Sequence, residues 1–203
     1  MLYHIGGAVN IGSAVRAAER GSAQMRQESK RLVAERSLEF IKQNECLQDG
    51  TGTWLYLPIY GKHANFPDHV SGDHCNPKTP AACGVVERLA LFLGDSLLRV
   101  GYSVVEAHTR IRPHYGPTNS VLKMHLGLTV PRRGLGTKSA RCTSITVAGD
   151  EREWVEGRVM LFDDSYLHHV WNNCSSFRSV LQIVIKHPQL EHAVDSSGHR
   201  DEL

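Results

Sequence analysis

The sequence predicts a mainly β protein, a double-stranded β-helix (jelly roll) with flanking N-terminal helices, and three observations predict it. From about residue 97 onward, short apolar–polar alternations recur at close spacing, split by Gly, Pro, Asn and Asp. About eight such runs fit in some 90 residues, the density of a two-sheet roll or small barrel. Ahead of them lie segments rich in Ala, Arg, Glu and Gln with apolar residues at helical spacing.

Taken in order, residues 13–45 read as a helix, with Val33, Leu38, Phe40 and Ile41 on its apolar stripe, docked on one sheet face. Asp49-Gly50 and Thr51-Gly52 end it in a turn signal. Trp54 to Tyr60 (WLYLPIY) reads as a strand, placed toward an edge by Pro58. Residues 61–80 read as a long loop, and Ala81 to Leu93 as a second helix stopped by Gly94. Strands follow at roughly 99–106, 108–113, 120–130, 142–148, 151–155, 158–162, 166–171 and 177–186. This divides the chain into an N-terminal helical segment, 1–50, a jelly-roll domain, 51–190, and a tail, 191–203.

Composition narrows the function classes. The 23 basic residues nearly balance 21 acidic ones and form no aromatic-interleaved stripe, which argues against a nucleic-acid partner. No apolar run approaches the roughly 20 residues that span a bilayer, so no transmembrane segment is expected. Five cysteines, at 46, 75, 83, 142 and 174, form no tight metal-binding pair. Cys75 and Cys83 bracket a Pro-containing loop, and both a bridge and two free thiols fit them. The ends predict different compartments. Arg200-Asp201-Glu202-Leu203 is one conservative step from the retrieval signal of the endoplasmic reticulum lumen. Residues 1–15 lack a basic n-region and are interrupted by Gly6, Gly7, Asn10 and Gly12, which favours the cytoplasm if the tail is fortuitous.

Three segments carry chemistry. In 120–130 (SVLKMHLGLTV) one strand face is Ser120, Leu122, Met124, Leu126, Leu128 and Val130, suited to packing. The other holds Lys123 and His125 side by side, with Gly127 leaving room, a face fit for a small anion inside a closed roll. In 156–188, Asn172 to Ser176 reads as the turn of a hairpin that sets Val170 opposite Arg178. His168, Val170 and Arg178 then share one face, with His169 facing away. Arg suits a carboxylate because its planar fork pairs bidentately. Asp164 shares the parity of His168 and is read either as orienting a metal-bound water or imidazole, or as a turn residue. In 112–119 (RPHYGPTN), a Gly-Pro turn follows His114. Mononuclear iron oxygenases usually use two histidines and a carboxylate. The usual carboxylate position, two residues after the first histidine, is here Gly116, so the expectation is a two-histidine site.

At these residues the chain resembles the aspartyl/asparaginyl β-hydroxylase family. The matching stretches are HYGPTNSVLKMHLGL, EGRVMLFDDSYLHHVW and SSFRSVLQIVIKHP, covering about 100–190, with a fainter match over Trp54 to Cys83. The resemblance implies an Fe(II)- and 2-oxoglutarate-dependent dioxygenase with His114 and His168 as metal ligands and no carboxylate ligand. It implies 2-oxoglutarate contacts at Ser103, Lys123, His125 and Arg178, with Arg178 on the distal carboxylate. Two departures stand out. Lys123 replaces an arginine, and Glu106 to His108 replaces a Pro-Gly turn, which bears on the geometry of the site entrance.

For animal relatives the resemblance implies β-hydroxylation of Asp or Asn in a protein substrate such as an epidermal-growth-factor-like module. Microbial look-alikes act on other molecules, lipids included. Two further readings stand beside it: a catalytically degenerate jelly roll that binds metal or peptide, and a zinc hydrolase. The second fits poorly, because no third protein ligand or nearby base is visible.

Overall fold

The computed structural model describes residues 10–37, 40–61, 75–133 and 140–189. Among these residues, helices α1 (Ile11–Arg20), α2 (Ser22–Ala34) and α3 (Pro80–Leu93) accompany thirteen strands. In chain order these are β1 (Ile41–Lys42), β2 (Gln48–Gly50), β3 (Trp54–Tyr60), β4 (Leu97–Val105), β5 (Thr109–His114), β6 (Val121–Thr129) and β7 (Arg132–Arg133). There follow β8 (Ala140–Arg141), β9 (Thr143–Val147), β10 (Asp150–Arg152), β11 (Val159–Phe162), β12 (His168–Asn172) and β13 (Arg178–Lys186). A six-stranded sheet has the order β1-β3-β4-β13-β6-β11, a five-stranded sheet the order β10-β9-β12-β5-β2, and β7 pairs with β8. From β4 onward the chain changes sheet at each step: β4, β6, β11 and β13 lie in the larger sheet, β5, β9–β10 and β12 in the smaller. That alternation, with antiparallel pairing throughout, is a double-stranded β-helix.

Two hydrophobic layers follow from strand alternation. One face of the larger sheet (Leu57, Tyr102, Leu122, Met124, Leu126, Leu128, Leu181, Ile183) packs under the helices. The helices meet it with Ala14, Ala18, Met25, Val85 and Leu89. The opposite face turns toward the smaller sheet, and Val105, Ile111, Ile145, Trp154, Val170 and Val180 close the space between. The expected parity of 120–130 is therefore met. Helix α3 starts with Pro80 at its first turn, and a carboxylate from another helix satisfies its open end. Glu28 of α2 accepts from Ala81 N (2.7 Å), Ala82 N (3.2 Å) and the Tyr102 hydroxyl (2.6 Å).

Two readings need correction, and two more are made definite. The helix expected over 13–45 is two helices that break at Gly21, and α2 ends at Ala34. Ile41 and Lys42 instead pair with Tyr56 and Leu55 of β3. The hairpin expected around Cys174 does not form. Val170 pairs with Ile111 and Ile145, whereas Arg178 pairs with Val105 in the other sheet. Residues 173–177 carry the chain across the sandwich, and Asn172 steers the crossing: its side-chain amide reaches the Val105 (3.0 Å), Glu106 (2.8 Å) and Ser176 (3.0 Å) carbonyls. Glu106 to His108 forms the β4–β5 corner, at the opposite end of β5 from His114, so it does not adjoin that histidine. Finally, disulfides join Cys75 to Cys83 and Cys142 to Cys174, the second unforeseen, and Cys46 is free. The central part of the 61–80 loop, Leu38 and the 191–203 tail lie outside the described residues.

Candidate active site

The two imidazoles expected to act together do meet. His114 ends β5, His168 begins β12, and the two residues are register partners in the smaller sheet. Their ring centroids lie 4.2 Å apart at an interplanar angle of 52°. Each ring is fixed by backbone two residues upstream: His114 Nδ1 lies 2.7 Å from the Arg112 carbonyl, and His168 Nδ1 lies 2.9 Å from the Tyr166 carbonyl. A carbonyl only accepts, so each Nδ1 carries the proton and each Nε2 keeps its lone pair. Burial lowers the pKa of His114 and takes that of His168 down to about 4, so both rings are neutral near pH 7. Two neutral, oriented Nε2 atoms are what a borderline metal ion requires of imidazole. Among the described residues no group of three or more His, Cys, Asp or Glu is placed to hold a metal.

Asp164 occupies the place beside Gly116. A Cβ on Gly116 would collide with the Asp164 carboxylate and lie 2.9 Å from its carbonyl oxygen. Gly116 N donates to that carbonyl at 2.6 Å. The carboxylate is buried and its Oδ2 is 2.7 Å from Lys123 Nζ. That approach supplies opposite charge, but neither Asp164 oxygen accepts a well-directed hydrogen bond. Asp164 sits in a turn, with its carboxylate directed inward to Lys123. Lys123 is committed to it, and the charges of both act on His114 and His168.

The remaining predicted residues line the larger sheet. Ser103 on β4 is buried; its Oγ accepts from Trp54 Nε1 at 3.2 Å, which leaves its own proton to donate. His125 on β6 is buried, with Nε2 3.3 Å from Gln182 Oε1 and Nδ1 without a partner. Burial first, then the charges of Arg178 and Lys123, hold its pKa well below the usual histidine range. Arg178 is 1% exposed, and its Nη1 donates to the Ser103 carbonyl at 3.3 Å. Its Nε has no partner, and no ion pair with Asp or Glu accompanies it among the described residues. Burial pulls its pKa down to about 9, still far above neutrality, so the guanidinium remains a cation lacking a counter-charge. His168 and Arg178 therefore face the same interior from opposite sheets.

Sequence reasoning missed the aromatic residues that frame this interior. Phe162 lies between the two ends, 4.8 Å from the His125 centroid and 6.1 Å from that of His168. Trp54 lies 6.3 Å from His114, and Trp154 lies under Arg178. A lone Trp in a short strand carries no signal of its own. Gly127, read as leaving room for a ligand, instead admits the backbone of Val155, whose carbonyl would collide with a Cβ.

Comparison with known proteins gives a consistent picture. A family model described as aspartyl/asparaginyl beta-hydroxylase matches residues 19–188. The chain is 31% identical over 176 residues to the aspartyl/asparaginyl beta-hydroxylase of Mus musculus and 30% identical over 176 residues to that of Homo sapiens. Each alignment covers 87% of this chain, but only 22% and 21% of those proteins, so the chain spans roughly a fifth of their length. It is 39% identical over 80 residues to the ornithine lipid ester-linked acyl 2-hydroxylase of Rhizobium tropici, covering 39% of this chain and 26% of that protein. A solved prolyl-4-hydroxylase from Pseudomonas putida is similar with a TM-score of 0.46 and 14% identity, over 80% of this chain and 85% of that one. With the family model matched over most of its length, the chain belongs to the aspartyl/asparaginyl β-hydroxylase family.

Proposed function

We propose that this chain is an Fe(II)- and 2-oxoglutarate-dependent hydroxylase that β-hydroxylates Asp or Asn of a protein substrate. One observation carries the reading: two neutral, backbone-oriented histidines share an interior with a buried guanidinium that has no counter-charge among the described residues. His114 and His168 would hold the iron, and Ser103, His125 and Arg178 the 2-oxoglutarate, with Arg178 on the distal carboxylate. Lys123 contributes by holding Asp164 rather than by gripping the co-substrate. Iron(II) with 2-oxoglutarate and dioxygen supplies the oxidising power that places a hydroxyl on an unactivated carbon. The chain's own groups orient and desolvate. The backbone carbonyls of Arg112 and Tyr166 fix the imidazole tautomers, and the apolar layer between the sheets excludes water.

The Asp164 carboxylate supports the two-histidine form of the site, because it takes the space where the usual carboxylate ligand would enter and leaves acceptors for metal-bound water. Succinate formation with and without iron, compared for wild type, His114→Ala and His168→Ala, tests the assignment. The expected outcome is iron-dependent turnover lost in both variants with the fold intact; full turnover in either would falsify it. Mass spectrometry of peptides after incubation, seeking one added oxygen on Asp or Asn, tests the substrate. Oxygen added to a lipid acyl chain instead would move the chain toward the activity named for the Rhizobium tropici relative. The Lys123–Asp164 pair favours one competing reading, a degenerate metal- or peptide-binding module. Iron binding with no succinate under any condition would select it.

A further inference from the structure

Trp154 has no part in the function proposed above, yet it heads the largest fully buried side chains. It rides on the segment that follows β10, which closes against β6 because Gly127 has no side chain to meet Val155. The closure is hydrogen-bonded, with Gly157 N donating to the Gly127 carbonyl at 2.8 Å and Gly127 N to that of Arg158 at 3.0 Å. The indole face receives the Arg178 guanidinium, whose Cζ is 4.4 Å from the ring centroid. The same ring lies 6.2 Å from the His125 imidazole and within 26° of parallel to it.

The indole N–H is buried and donates to nothing among the described residues. An indole nitrogen can only donate, and buried ones ordinarily find an acceptor. Arg178 Nε, on the cation packed against this ring, is a second buried donor without a partner among the described residues. Apolar neighbours cannot satisfy two such donors; an oxygen-rich anion would accept from both. We propose that Trp154 is a binding and selectivity residue of the anion site, its N–H donating to the distal carboxylate of 2-oxoglutarate beside Arg178. This rests on the co-substrate assignment above and adds to it a residue that distinguishes 2-oxo diacids from 2-oxo monoacids. The ring and the N–H act separately: the face holds the guanidinium by cation–π attraction, and the edge reads the second carboxylate.

Trp154→Phe keeps an aromatic face for the guanidinium, though a smaller one, and removes the donor. Calorimetric titrations without oxygen, with Mn(II) in place of iron, would compare 2-oxoglutarate with 2-oxobutyrate, which lacks the distal carboxylate. Wild type is expected to prefer the diacid. The variant is expected to lose about tenfold in 2-oxoglutarate affinity, the order for a hydrogen bond to a charged group, with no change for 2-oxobutyrate. Equal weakening of both ligands, or no change in either, overturns the proposal. A wild type without preference overturns the co-substrate assignment first. The unmodified protein gives a second readout, because it has only three tryptophans. One indole N–H resonance, assigned by elimination with Trp54→Phe and Trp171→Phe, should move downfield with 2-oxoglutarate and not with 2-oxobutyrate. An unmoved Trp154 resonance overturns the proposal even where Trp154→Phe fails to fold.

Discussion

The ammonium of Lys123 and the carboxylate of Asp164 lie 2.7 Å apart and tie β6 to the link between β11 and β12. The acid is 1% exposed and the base 20%, so solvent screens the pair weakly. Removing the base strands a buried carboxylate, and Lys123→Met should cost about 3 kcal/mol in urea unfolding. Lys123→Met combined with Asp164→Asn should recover most of that loss. Simple additivity of the two single changes would show that the charges do not act as a pair.

Gly116 makes the complementary prediction. Because the Asp164 carboxylate fills the space next to it, Gly116→Asp should not complete a three-ligand site. The new side chain collides with Asp164, at an expected cost of about 2 kcal/mol for overpacking. Mn(II) affinity measured by electron paramagnetic resonance should stay level or fall. Tighter binding would mean that the pocket accommodates a third ligand after all.

The depressed pKa of His168 sets a pH dependence for the metal-free protein. Between its ordinary value of 6.5 and about 4, the unfolded chain binds a proton that the folded chain does not. Its contribution to stability is therefore complete above pH 6.5 and declines as pH falls toward 4. Urea midpoints across this window should slope downward with acidification, and His168→Gln should flatten the slope. An identical slope in the variant would assign the titration elsewhere.

Cys142 and Cys174 join the start of β9 to the link that carries the chain from β12 to β13. The bridge closes 32 residues of chain, so replacing both cysteines by Ser should cost about 3 kcal/mol. Because that link ends at Arg178, 2-oxoglutarate affinity should fall as well. Urea unfolding and ligand titration with and without reductant would check both effects. Unchanged affinity would separate the bridge from the anion site.

Much of this architecture is legible in alternation alone. Leu122, Met124, Leu126 and Leu128 alternating with Lys123 and His125 announce a strand with one packed face, and the burial of the four apolar side chains bears that out. Periodicity says nothing about which sheet a strand joins, so His168 and Arg178 were expected on one wall and instead oppose each other. Gly21 breaks the first helix while the helical composition continues past it. The partner of Cys142 is 32 positions away, fixed by tertiary structure rather than spacing. Trp154 shows its importance only through the cation above it and the donor it leaves open.

The division of labour between the sheets has a geometric corollary. The histidine pair belongs wholly to the smaller sheet and Arg178 to the larger, so a molecule touching both would have to reach from one sheet to the other past the apolar layer of Val105, Ile111, Val170 and Val180. Sandwich thickness would then act as a caliper on ligand length. Trimming or enlarging those four side chains should reset the preferred chain length without altering any polar contact.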